Sequence, residues 1–127
     1  MKKALVTAAM IFAAVSIFAA EKSGMTYKRV PQNIAYETMQ NQRDIIILDV
    51  RTKEEFKQGH IKGAICIPVE TIGNVPPKEL PDKNQTILVY CRSGRRSKNA
   101  AEKLVKLGYT DIREFGGINT WVYGTVK

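Results

Sequence analysis

The sequence predicts an α/β sandwich around a mainly parallel sheet, and three observations carry that prediction. Ile45-Ile46-Ile47-Leu48 and Thr86-Ile87-Leu88-Val89-Tyr90 are unbroken apolar runs of strand length, which suit parallel strands covered on both faces. Residues 97–107 place Ala100, Ala101, Leu104, Val105 and Leu107 toward one side and Lys98, Asn99, Glu102, Lys103 and Lys106 toward the other, as an amphipathic helix does. Strand-like and helix-like segments alternate along the chain, and alternation of that kind builds layered α/β domains.

Taken in order, residues 25–30 alternate well enough for a first strand, and Pro31 suits the first turn of a helix reaching Asn41. Residues 44–49 hold the first apolar run. Thr52 is placed to cap a short helix through Gln58, with Glu55 three residues later completing a capping box and Gly59 ending the helix. Residues 64–67 form a short strand stopped by Pro68, and residues 70–80, with Pro76-Pro77, read as a connector holding one helical turn. The second apolar run follows, then the amphipathic helix with Gly108 placed as its C-cap. Residues 111–115 read as a last strand, followed by Gly116-Gly117 and a terminal helix whose Trp121 is expected in the core. There is no repeat, low-complexity tract or second linker.

With 127 residues, 44% hydrophobic and 25% charged, the chain has room for one globular domain with a modest core. Residues 1–20 read as an export signal and residues 21–127 as the domain. Met1-Lys2-Lys3 is the positive start, residues 4–20 are almost unbroken apolar, and Glu21-Lys22-Ser23-Gly24 turns polar. The apolar run is shorter than the roughly 20 residues of a comfortable membrane span and is weakened by alanines. Cleavage and a periplasmic product are therefore expected; membrane attachment would follow only if this segment stayed uncleaved as an anchor. The formal charge is +8, and removing Lys2 and Lys3 with the signal leaves +6, a balance that favours anionic partners. Lys and Arg are interspersed with acids and no nucleic-acid motif is present, which excludes nucleic acid as the expected partner.

The arginines do gather in one place, Tyr90-Cys91-Arg92-Ser93-Gly94-Arg95-Arg96-Ser97, between the second apolar run and the amphipathic helix. A cysteine there sits at the carboxyl end of a strand, where ligands bind in open α/β sheets. The N–H groups of so short a loop converge, and the following helix adds unpaired donors and the positive end of its dipole. A helix N-terminus and neighbouring Arg lower a thiol from about 8.5 to roughly 3.5–7.5, so Cys91 is expected as a nucleophilic thiolate. Arg92, Ser93, Gly94, Arg95 and Arg96 are the candidate anion-binding residues, with bracing of the loop as a second reading for Arg96. Asp49 and Arg51, at the end of a neighbouring strand, are expected to form an ion pair that supports the loop. His60 is the only histidine, and its Gly-His-Ile setting reads as a structural turn. One His and two separated Cys support no metal site.

The loop resembles the active-site loop of the rhodanese family, whose small members read much like Cys-Arg-Ser-Gly-x-Arg-Ser. Leu48-Asp49-Val50-Arg51, Glu54-Glu55-Phe56, Gly59-His60-Ile61, Gly63-Ala64-Ile65-Cys66-Ile67-Pro68 and Gly116-Gly117-Ile118-Asn119-Thr120-Trp121 are similar to the family's further landmarks, in its order. The resemblance spans about residues 26–122. It implies a rhodanese-like three-layer sandwich, with a mainly parallel five-stranded sheet and helices on both faces. It also implies a sulfurtransferase that needs no cofactor. Cys91 would take a sulfane sulfur from thiosulfate or a similar small anionic donor as a persulfide, then yield it to a thiol, cyanide or a protein acceptor. In the family's strand order an intervening strand keeps Cys66 and Cys91 about 9–10 Å apart, beyond the roughly 7 Å limit for a disulfide. Cys66 stands where the family more often has Asn and reads as a small buried hydrophobe.

Two other classes stay open at the level of sequence. Phosphatases and arsenate reductases related to this fold resemble Cys, five residues, then Arg, whereas four residues separate Cys91 from Arg96 and Tyr90 precedes the cysteine. A non-catalytic partner-binding module is the other, although inactive relatives commonly lack the cysteine this chain retains.

Overall fold

The structure, a computed structural model, describes residues 26–127. The expected export segment lies outside the described residues. Five parallel strands form one sheet: β1 (Lys28–Arg29), β2 (Ile45–Asp49), β3 (Ile65–Cys66), β4 (Thr86–Cys91) and β5 (Ile112–Gly117), in the order β1-β5-β4-β2-β3. Helices α1 (Gln32–Asn41), α2 (Lys53–Gln58) and α3 (Arg95–Lys106) connect them, with single 3₁₀ turns at Val69–Thr71 and Ile118–Thr120.

The central strand β4 is buried on both faces because its alternate residues feed two cores. Ile87, Val89 and Cys91 pack with Ala100, Ala101, Leu104 and Val105 of α3. Leu88 and Tyr90 face the other way, with Ala35 of α1, Ile61 and Phe115. The sheet between helical layers is the expected three-layer arrangement. Its capping chemistry follows the local sequence: Thr52 and Glu55 form the reciprocal capping box of α2. At the end of α3, Gly108 N–H donates to Val105 O and Tyr109 N–H to Leu104 O, with Gly108 at φ 102°, a Schellman motif. Tyr109 Oη then donates to Leu80 O at 2.6 Å and anchors the long connector.

Three expectations are corrected. The first strand shrinks to an exposed two-residue edge pairing with β5, and Pro31 stops it on the C-terminal side. Helix α3 begins at Arg95, two residues before its apolar pattern starts, because Gly94 adopts a left-handed N-cap conformation. The terminal helix is one 3₁₀ turn. Beyond it the chain bends at Tyr123, with Gly124 at φ 93°, and Val126 pairs antiparallel with His60. Trp121 is accordingly half-buried, held among Tyr36, Phe115 and Tyr123 at the rim of the second core.

Candidate active site

Strand β4 carries Cys91 to the carboxyl edge of the sheet, next to β5 on one side and β2 on the other. The pairing of β4 with β5 shifts register between Val89 and Cys91, so that Cys91 comes opposite Gly117. The turn then passes so close to β5 that a Cβ on Gly117 would overlap the Arg92 carbonyl. Asn119 N–H donates to that same carbonyl at 3.1 Å. Gly94, at φ 107°, turns its N–H back to within 3.0 Å of Cys91 Sγ. Residues with a Cβ avoid this conformation, so the glycine is what allows an N–H to face the sulfur.

Cys91 is only 1% exposed. Burial pushes its thiol up, but the Ser97 hydroxyl and the N–H groups of Ser97, Gly94 and Ser93 outweigh it and hold the thiol below its ordinary range. Ser97 Oγ lies 3.5 Å from Sγ. It donates at 2.6 Å to Glu114 Oε2, which also accepts the Gly116 N–H at 2.9 Å. Arg29 approaches the other carboxylate oxygen of Glu114 at 3.4 Å.

The three loop arginines separate. Arg96 is clasped by Glu55 through two bonds of 2.9 and 3.0 Å, so it braces the loop against α2 and is not open as an anion ligand. That pairing with Arg96, working against burial, holds the Glu55 carboxyl down at about 2. Arg92 and Arg95 are exposed and form no ion pair among the described residues. The first turn of α3 thus carries Arg95 and Arg96 and no acid, the reverse of what a helix dipole favours. Positive charge gathered at an already positive helix end suits an anion there.

Asp49 and Arg51 make the expected ion pair, at 2.7 Å and nearly without solvent. Burial works against the Arg51 charge, but Asp49 outweighs it and raises the guanidinium above its ordinary value. Arg51 also donates to Gly59 O at 2.7 Å, tying the end of β2 to the end of α2. The pair stands beside Tyr90, whose partner in the β2 register is Asp49, and its bonds are to β2 and α2 rather than to the thiol. A cleft of about 360 Å³ opens between these groups, lined by Arg51, Glu55, Gln58, Arg92, Asn119 and Thr125. His60 does not line it and is stacked on Phe56 at 3.7 Å and bonded through Nδ1 to Phe56 O. Burial raises the Cys66 thiol, and β2 separates its strand from that of Cys91. Both cysteines are free.

Sequence reasoning assigned Ser97 to the start of a helix and gave Glu114 no role at all. The available signal for Glu114 was a carboxylate between Ile112 and Phe115 in a strand that ends at Gly116-Gly117, an inward position that an acid occupies only with partners. In the sequence Glu55 reads as a capping residue and as part of a family landmark, and its second partner, Arg96, is 41 residues distant.

The rhodanese-like domain family matches residues 33–123. The chain is 40% identical over 80 residues to the thiosulfate sulfurtransferase PspE of Escherichia coli, covering 63% of this chain and 77% of that protein. It is 33% identical over 98 residues to the thiosulfate sulfurtransferase GlpE of Coxiella burnetii, covering 76% and 89%. Among solved structures, an E. coli rhodanese with anions matches at TM-score 0.56 and 38% identity, over 65% of this chain and 98% of that one. A rhodanese-related protein from Thermoplasma volcanium matches at TM-score 0.67 and 28% identity, over 79% and 98%. With the family model spanning most of the domain and the Cys91 loop built as described, the chain belongs to the rhodanese-like domain family and is a rhodanese-like transferase.

Proposed function

We propose that the protein moves a sulfane sulfur from thiosulfate, or a donor like it, to a nucleophilic acceptor through a persulfide on Cys91. The observation that carries this reading is the thiol itself, buried, lowered in pKa and faced by the Gly94 N–H at 3.0 Å. The thiolate attacks the outer sulfur of the donor, the S–S bond breaks and sulfite leaves with the electron pair. The N–H groups of the loop then cradle the terminal persulfide sulfur, a preorganised electrostatic site. A thiol, cyanide or a protein thiol removes that sulfur and restores the thiolate. A lowered thiol needs no histidine base, in keeping with His60 being engaged with Phe56. Arg96, the residue a phosphatase-like loop would direct at an oxyanion, is committed to Glu55, which favours the sulfurtransferase reading over that alternative.

The test is intact mass after exposure to thiosulfate. One added sulfur is expected on the native protein, removed by cyanide and missing from Cys91→Ser, while Cys66→Ser still takes it up. No added sulfur, or an undiminished addition in Cys91→Ser, overturns the reading.

A further inference from the structure

The buried carboxylate of Glu114 has no part in the chemistry above, yet it ends a continuous chain from the nucleophile. Cys91, Ser97 and Glu114 are each 1% exposed or less. Sγ lies 3.5 Å from Ser97 Oγ, and Oγ lies 2.6 Å from Glu114 Oε2. Glu114 also lines a cleft of about 650 Å³ with Arg29, Gln32, Asn33 and Thr120, separate from the one that Arg92 lines. Ser97 has a single hydroxyl proton and two lone pairs. Its oxygen is surrounded by acceptors: Glu114 Oε2, Gly94 O at 3.0 Å and Gly116 O at 3.4 Å.

That donor count gives Ser97 two arrangements. With Glu114 ionised, the hydroxyl proton goes to the carboxylate, the strongest and nearest acceptor, and Ser97 can only accept from a Cys91 thiol. With Glu114 protonated, the carboxyl O–H donates to Oγ, and the hydroxyl proton turns to the sulfur, where it stabilises a thiolate.

We propose that Glu114 is the proton acceptor for Cys91, acting through Ser97 as a positioning residue for the sulfurtransferase reading above. The S–H bond breaks as its proton passes to Ser97 Oγ, while the Ser97 hydroxyl proton passes to Glu114 Oε2. One negative charge moves from carboxylate to sulfur, and no oxidant, reductant or co-reactant is consumed. The interior therefore holds one charge instead of two, which avoids the cost of an ionised pair in a dry site. Arg29 faces the carboxylate from β1. Arg92, Arg95 and Arg96 lie on the sulfur's own loop, with Glu55 and Glu70 acting on Arg96 from the far side and Asp49 with Arg51 at the end of β2.

Thiolate absorbance in the ultraviolet, taken as wild type minus Cys91→Ser, tests this without any sulfur donor. Two steps are expected in the wild type, separated by a plateau in which the thiolate fraction hardly changes with pH. Glu114→Gln and Ser97→Ala should each give one step, below which thiolate falls about tenfold per pH unit. In the plateau range, the infrared carbonyl stretch of a protonated carboxyl should be present in the wild type and lost in both Glu114→Gln and Cys91→Ser. A single-step wild-type profile, or a plateau without that band, overturns the proposal even if the variants fail to fold. Because neither readout involves sulfur transfer, loss of persulfide formation with both readouts intact would count against the proposed function and not against the relay.

Discussion

At the scale of single residues, exposure divides the loop into groups open to solvent and groups that hold the loop. Arg92 and Arg95 are exposed and without an ion-pair partner among the described residues, so their charge is available to a doubly anionic donor. At about 4 Å and an effective dielectric near 20, two unit charges interact by roughly 4 kcal/mol, and a fraction of that after screening still biases selection about tenfold. Neutralising both is expected to lower kcat/KM for thiosulfate more than for the monoanionic 3-mercaptopyruvate, and added salt should reproduce part of the loss. Equal losses for both donors would mean that these arginines only shape the loop. Gly117 shows the opposite behaviour. A methyl group there meets the Arg92 carbonyl and Ser93 nitrogen, both backbone, so Gly117→Ala must shift the loop. A cost of about 1–3 kcal/mol is expected in thermal or denaturant unfolding, with loss of activity at temperatures where the variant is still folded. Cys91 and the anion-favouring loop were legible in the sequence because they are contiguous. Ser97 and Glu114 were not recognisable as a pair, because they lie 17 positions apart and are brought together only by the β4–α3–β5 crossover.

At the scale of elements, the Glu55–Arg96 clasp joins the first turn of α2 to the first turn of α3, two segments that share no strand ladder. Its pKa shift makes a signed prediction. The folded carboxyl is held at about 2 against an ordinary value of 4.5, so its stabilisation is fully present above the ordinary value and is lost as pH falls through the folded one. Both partners are partly exposed, and solvent screening reduces the contribution to about 1–2 kcal/mol. Unfolding measured from pH 5 down to pH 2 should therefore show a progressive loss of that size in the wild type, with a smaller loss in Glu55→Gln. An identical pH dependence in the two proteins would remove the clasp from the account. The capping box of α2 and the Schellman end of α3 were readable because caps are local. The first turn of α3 lies before the helical pattern because periodicity begins only where side chains face the core, whereas Arg95 is exposed and Arg96 is turned to Glu55. The terminal helix expected after Gly116-Gly117 is a single 3₁₀ turn, and Trp121 just beyond it packs at the rim of a core.

At the scale of the whole molecule, the layers follow from two apolar runs and one amphipathic helix, since a parallel strand buried on both faces requires a helical layer on each side. The carboxyl edge of that sheet then gathers Cys91, the Asp49–Arg51 pair and the cleft lined by Arg92, which is why a loop motif and a distant Asp-x-Arg belong to one site. Residues 1–20 direct export in our proposal, and fractionation checks it: protein outside the inner membrane and lacking its first twenty or so residues is expected. Full-length protein in the cytosol would rule export out, and full-length protein in membranes would indicate an uncleaved anchor. The central claim is that sulfur pauses on Cys91 between donor and acceptor, and sulfite release in the absence of any acceptor tests it most directly. The account predicts a burst of one sulfite per protein on mixing with excess thiosulfate, followed by no further release until acceptor is added. Sulfite that appears only when donor and acceptor are both present would contradict it.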